Sequence, residues 1–248
     1  VMSRPMTRPV GPTAFAERKQ SSPGPEPRSS TTSPSRRPAI AVGLPQPYDA
    51  TVSGRSAMFS TPHRPQPERP WPVSHHANLR DRWMDAQYAA EMALAFAANT
   101  EFVGDALPHA YPNLGPEVFS AFFGCALEFG EETSWSAPII KDWGDAADVK
   151  FSEDSIYWTK IVEMTDAMIE LGKGKFYTGI TDMHPGGDAV AAFRDPMQLN
   201  LDMLEAPDAV KAMVDSVTDI YLKVYDFFYS RLTAAGQAIC TWAGIVSS

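Results

Sequence analysis

Lys175-Phe-Tyr-Thr-Gly-Ile-Thr-Asp-Met-His-Pro-Gly-Gly-Asp188 is the stretch on which the reading of this chain turns. It opens as a short apolar strand, 176–181, and breaks into a loop carrying Asp182, His184, Gly186, Gly187 and Asp188. A helical pattern, 189–193, follows directly. A strand that ends in a polar, glycine-bearing loop and re-enters as a helix is the repeating unit of α/β proteins. Such proteins keep their chemistry on loops at the C-terminal ends of parallel strands. The loop therefore marks where a site is expected.

Working outward, the same alternation continues on both sides. Asn78 opens a helical pattern that runs to Asn99, with Leu79, Trp83, Tyr88, Met92 and Phe96 available for one side. Residues 101–107 read as a short strand, followed by a loop through Pro108, Pro112, Asn113 and Gly115. Pro116 suits the first position of a short helix over 117–123, closed by Gly124. Residues 127–135 are extended, with Glu131, Glu132 and Thr133 marking an edge or a rim. The spacing of Ile156, Ile161, Met164, Met168 and Leu171 predicts an amphipathic helix over 155–171, ended by Gly172 and Gly174. Downstream of the Asp/His loop, 196–204 reads as a short helix, 208–234 as the longest one, and 238–246 as a final apolar strand. Strands separated by helices require crossover connections, hence a parallel sheet and an α/β class.

Composition divides the 248 residues in two. Residues 1–72 hold 15 of the 22 prolines, ten serines, ten Lys+Arg and four Asp+Glu, whereas the remainder holds 11 basic and 26 acidic residues. The net charge of −9 thus combines a basic leader and a strongly acidic body. The leader has too few large apolar residues to offset its ordering entropy. We expect 1–69 to be a disordered, low-complexity leader and 70–248 to be the folded domain. An acidic body repels phosphates, which argues against nucleic acid as a partner. No apolar run approaches the ~18 residues of a membrane span, so a cytoplasmic protein without a membrane partner is expected. Cys125 and Cys240 are far apart and lack CxxC spacing, as buried thiols in a reducing compartment would.

Four segments of the body resemble the uroporphyrinogen decarboxylase superfamily, which includes corrinoid- and zinc-dependent methyltransferases. Phe102-Val-Gly-Asp-Ala-Leu-Pro108 with Asn113-Leu-Gly115 is similar to its Asp-bearing strand end and Leu-Gly turn. Glu132-Thr-Ser-Trp135 with Asp142-Trp143 resembles an uncharacterised branch. Gly179-Ile-Thr-Asp182 and Pro185-Gly-Gly-Asp188 occupy the place of its glycine-rich strand-to-helix loop. Asp195-Pro196, Leu201-Asp202 and Ala206-Pro207 resemble the helix pair after that loop. The resemblance implies a (β/α)8 TIM-type barrel, of which this chain reads as the N-terminal part. It implies cofactor-free decarboxylation of a carboxylated tetrapyrrole in porphyrin biosynthesis. The alternatives are methyl transfer using zinc and a corrinoid, or a non-catalytic fragment or binding module. A small-molecule partner of the tetrapyrrole or corrinoid class and a possible homodimer are implied with it. Two features depart from the family: its N-terminal Arg-x-x-Gly-Arg string is missing, Arg80 and Arg82 being the nearest basic pair, and its loop tyrosine is replaced by the neighbourhood of Asp188 and Val190.

Decarboxylating a pyrrole acetate needs a protonated ring as electron sink and a carboxylate to stabilise the charge that develops. By resemblance Asp105 is that carboxylate; otherwise it is a solvated loop residue. Asp182 and His184 are two apart and form an acid/base pair if both turn inward. The alternative has Asp182 capping the next turn and His184 in water. Gly186 and Gly187 permit close backbone approach to an anionic ligand, and Asp188 either joins that site or N-caps the following helix. His109 stands at another strand end, and Trp135 and Trp242 are candidates to line a flat ligand or to fill the core. Metal ligation is at most partial, through His184 with Asp182 and Asp188, and no metal site is assigned.

Overall fold

The computed structural model describes residues 59–60, 63–104 and 106–247. Within them the long N-terminal helical pattern is two helices, not one. Helix α1 (Leu79–Trp83) starts at Asn78, whose side chain accepts from the Asp81 N–H. Helix α2 (Ala86–Asn99) starts at Asp85, whose carboxylate accepts from the Tyr88 N–H. A fresh N-cap in the middle of the pattern resets the helix, because the cap residue itself holds an extended backbone. Asn99 closes α2 by exchanging hydrogen bonds with the Arg69 backbone, Nδ2 to O at 2.8 Å and N to Oδ1 at 2.9 Å. His63 and Thr100 form a bridge beside it.

The strand expected over 101–107 is displaced. Its residues Val103–Gly104 (β2) pair antiparallel with Phe59–Ser60 (β1). The strand that enters the main sheet is His109–Ala110 (β3), in the segment read as loop, where Pro108 and Pro112 masked the pattern. Helix α3 (Val118–Ala121) follows, every residue buried. The extended segment 127–135 is a hairpin of β4 (Leu127–Phe129) and β5 (Ser134–Ser136). A 3₁₀ turn over Trp143–Asp148, unforeseen in the sequence, leads to helix α4 (Ile156–Gly172). Tyr157, Trp158, Ile161, Met164 and Met168 of α4 face inward, and Ser155 caps its start. Ile156, expected on that inner face, is exposed because it occupies the first turn.

Strand β6 (Tyr177–Thr178) is followed by α5 (Gly187–Arg194), α6 (Pro196–Glu205), α7 (Pro207–Ala234), β7 (Ile239–Cys240) and β8 (Val246–Ser247). The final apolar stretch is thus a tight hairpin rather than one strand. Strand β6 lies parallel to β3, with His109 opposite Tyr177 and Ala110 opposite Thr178. Gly179 then bridges in parallel to Cys240. The three strands β3, β6 and β7 are therefore parallel neighbours, each pair joined through helices, which is the α/β arrangement the alternation predicts. The described strands are two or three residues long and do not close into a barrel.

Paired residues of neighbouring strands share a sheet face. One face, with Ala110, Ile180 and Ile239, meets the helices. There Phe119, Phe122, Phe193 and Phe228 are buried among Ile161, Met164 and Leu232. The α5–α6 corner is tied down by Arg194, whose Nε donates to Asp202 Oδ2 at 2.6 Å while its Nη1 reaches the Ile140 and Lys141 carbonyls. Asp195 turns the corner at φ 88°, and its carboxylate caps α6 through the Met197 and Gln198 N–H groups. No described helix is long and apolar enough to cross a membrane.

Candidate functional site

The second sheet face carries His109, Tyr111, Tyr177, Gly179 and Cys240, and past the strand ends it leads into the Asp/His loop. Here the chain brings together groups that are distant in sequence. Gly179 is the residue that lets them meet: a Cβ on it would sit 3.2 Å from Tyr111 Cβ, 3.2 Å from the Thr241 carbonyl and 3.3 Å from the Cys240 carbonyl. With only hydrogen there, β3 and β7 close up on β6 and place Tyr111 beside the loop.

Asp182 and His184 do turn toward each other, His184 Nε2 lying 3.3 Å from Asp182 Oδ1. The contact is electrostatic rather than an aligned hydrogen bond, since Asp182 Oδ1 is buried without a hydrogen-bond partner. Burial raises the Asp182 carboxyl above its ordinary value, and the nearby imidazole only partly draws it back. Burial raises the Tyr111 phenol as well, reinforced by the charge of Asp182. Each negative charge disfavours the other, so an ionised Asp182 helps Tyr111 keep its phenol proton. A carboxyl raised by burial and set beside an imidazole is a candidate acid–base pair.

Tyr111 was not singled out from the sequence. Its signal was available: it is the aromatic residue immediately after a strand of the parallel sheet, but that strand was hidden between two prolines. His109 and Tyr111 also open onto a cavity of about 400 Å³ between β3 and α2, walled by Trp71, Met92, Phe96 and Met168. That volume lies in the range of small-molecule sites, which combine apolar walls with few polar groups. The His109 ring itself is set by Leu107, with Nδ1 3.2 Å from its carbonyl oxygen, and by the Gly244 backbone lying against it.

The remaining expected residues are placed as follows. Asp105 lies outside the described residues. Gly186, at φ 62°, is the N-cap of α5, and Gly187 is its first residue; no side chain caps this helix start. Asp188 is therefore not the N-cap but an exposed first-turn residue, because the glycine ahead of it already turns the chain into the helix. Trp135 stands exposed on the hairpin with Nε1 donating to Glu128 Oε2 at 3.0 Å, and Trp242 is exposed in the turn between β7 and β8. Neither fills the core. Both thiols are pushed up to about 12, Cys125 by burial and the charge of Glu117, Cys240 by burial. A thiol so held is not a nucleophile at neutral pH. Among the described residues no three His, Cys, Asp or Glu side chains are grouped to hold a metal ion. No protein-family model matches the chain, and no curated protein matches it in sequence.

Proposed function

We propose that this protein is a cofactor-free carboxy-lyase of the uroporphyrinogen decarboxylase kind, acting on an acetate-bearing tetrapyrrole. The observation that carries the reading is the meeting of Tyr111, Asp182 and His184 at the C-terminal ends of parallel β3 and β6, with the Asp182 carboxyl raised by burial. Decarboxylation breaks the bond between the acetate CH₂ and its carboxylate. The ring first takes a proton. Carbon dioxide then leaves and the electron pair passes into the ring cation. Finally the CH₂ carbon takes a proton and the ring gives its own back, so one proton is consumed for each carbon dioxide released. Asp182 supplies the proton to the CH₂ carbon and His184 restores it. The cavity beside His109 and Tyr111 offers an apolar wall for a pyrrole ring. Asp105, by its resemblance, binds the pyrrole N–H groups.

Anaerobic incubation of the full chain with uroporphyrinogen tests this, with product acetates counted by mass spectrometry. The expected result is stepwise loss of carbon dioxide, slowed roughly 100-fold in Asp182→Asn, the low end of general-acid contributions. Wild-type protein that removes no carboxyl group, or an Asp182→Asn variant that turns over normally, refutes the proposal. Demethylation of a methylcorrinoid in place of decarboxylation would move the reading to the methyl-transfer branch.

A further inference from the structure

A second constellation lies where the chain enters α1 and α2. Ser74 Oγ is 2.9 Å from His76 Nδ1, and His76 Nε2 is 2.9 Å from Asp85 Oδ2. A neutral imidazole has one donor and one acceptor nitrogen. An ionised Asp85 can only accept, so Nε2 carries the proton and Nδ1 is left to accept from the Ser74 hydroxyl. Asp85 is held in the ionised form. Burial works against its charge, but the Tyr88 N–H and His76 outweigh it and keep the carboxyl below its ordinary value.

The carboxylate is also fixed in direction. Its Oδ1 accepts from the Tyr88 N–H at 2.9 Å as the N-cap of α2, leaving Oδ2 aimed at the imidazole. The Tyr88 ring meets the His76 ring edge-to-face at 5.1 Å and 71°, so the imidazole is held on two sides. His76 is mostly covered while Ser74 is open to solvent. Hydroxyl, base and orienting carboxylate in sequence are the groups of nucleophilic acyl transfer, a chemistry recognised by geometry and roles rather than by chain order. Tyr88, which packs on His76, also forms one wall of a neighbouring cavity of about 370 Å³ with Trp83, Met92, Asn113 and the ion-paired Arg82 and Glu131.

We propose that Ser74 is an activated nucleophile, with His76 as its base and Asp85 as a positioning residue, and that the site hydrolyses small carboxylic esters. Ser74 Oγ attacks the ester carbonyl carbon while His76 Nδ1 takes the hydroxyl proton. The bond to the leaving alcohol breaks, and the same proton passes to its oxygen. Water then attacks the acyl-serine carbonyl and gives a proton to Nδ1; the acyl–Oγ bond breaks, that proton passes to Oγ, and the acid leaves.

The test is covalent capture of the full chain with a fluorophosphonate probe, followed by peptide mass spectrometry and labelling rates for wild type, Ser74→Ala, His76→Gln and Asp85→Asn. Asparagine is also a good N-cap, so Asp85→Asn keeps the start of α2 while removing the orienting charge. The expected result is an adduct on Ser74 that is lost in Ser74→Ala and forms at least about 10-fold more slowly in His76→Gln and Asp85→Asn, a conservative figure for loss of a general base. A Ser74 left unlabelled overturns the proposal, as does a labelling rate unchanged in His76→Gln. If Asp85→Asn does not fold, the His76→Gln rate alone decides.

Discussion

Replacing Gly179 with alanine probes the contact on which the whole mouth depends. The new methyl would lie 3.2 Å from Tyr111 Cβ, 3.2 Å from the Thr241 oxygen and 3.3 Å from the Cys240 oxygen, all inside the ~3.5–4.0 Å at which non-bonded carbons are comfortable. Two terms favour the variant: about 0.8 kcal/mol for a buried methyl, and about 0.4–1 kcal/mol from the reduced freedom of the unfolded chain. Overpacking opposes them with about 1–3 kcal/mol. Which side wins depends on whether the neighbours can give way. Two of the three are backbone carbonyls of the β7 segment, and the Cys240 oxygen already accepts from the Ile180 N–H at 2.8 Å. They cannot move without loosening the ladder, so the upper part of the overpacking range applies and the net cost is about 1–2 kcal/mol. For a domain of this size that lowers the melting temperature by about 2–8 °C, at roughly 2–4 °C per kcal/mol. Thermal unfolding followed by circular dichroism reads the shift. Gly144→Ala, where a Cβ meets nothing within 4 Å, is the control and should stay within ~0.5 kcal/mol of wild type. The proposed decarboxylation should fall further than stability does, because the third neighbour is Tyr111. A Gly179→Ala protein that melts at or above the wild-type temperature refutes the close-approach argument.

Two more predictions concern the site and its support. Asp182→Asn should make the protein more stable at neutral pH even as it slows the proposed decarboxylation. Because the folded carboxyl lies above its ordinary 3.8, the unfolded chain ionises first as pH rises. Wild-type stability therefore falls through the window from about 3.8 up to the folded value, and the variant escapes that loss. Chemical denaturation at several pH values should show the two proteins converging toward acid; a variant less stable than wild type at neutral pH counts against it. Phe193→Ala, in the last turn of α5 with no exposure and its ring 5.3 Å from Phe123, should cost about 3–5 kcal/mol, measured by the urea midpoint, and Phe193→Leu clearly less. Equal effects of the two would mean that the ring does not fill the core as described.

Local signals in this chain are those that a few neighbouring residues decide. The periodicity of α4 and α7, the cap at Asn78 and the strand-to-loop-to-helix reading of 175–188 were all legible, because burial of one helix face and satisfaction of terminal N–H groups depend on spacing alone. The α/β class followed from the same alternation, and so did the location of Asp182 and His184. Where two local rules competed, the spacing misled. The pattern from Asn78 to Asn99 reads as one helix, yet Asp85 within it caps a second one. Asp188 looked like a cap, yet Gly186 had already taken that place. Only the tertiary structure could decide that β3 is His109–Ala110, since its partner Tyr177–Thr178 lies far along the chain and its flanking prolines hide any pattern. The approach of Tyr111 to Asp182 likewise depends on register across β3, β6 and β7, and on a missing Cβ at Gly179. The Ser74–His76–Asp85 relay is of the same kind. Residue types announce that such contacts are chemically available, but distances between groups on different elements are set by how the sheet and helices pack.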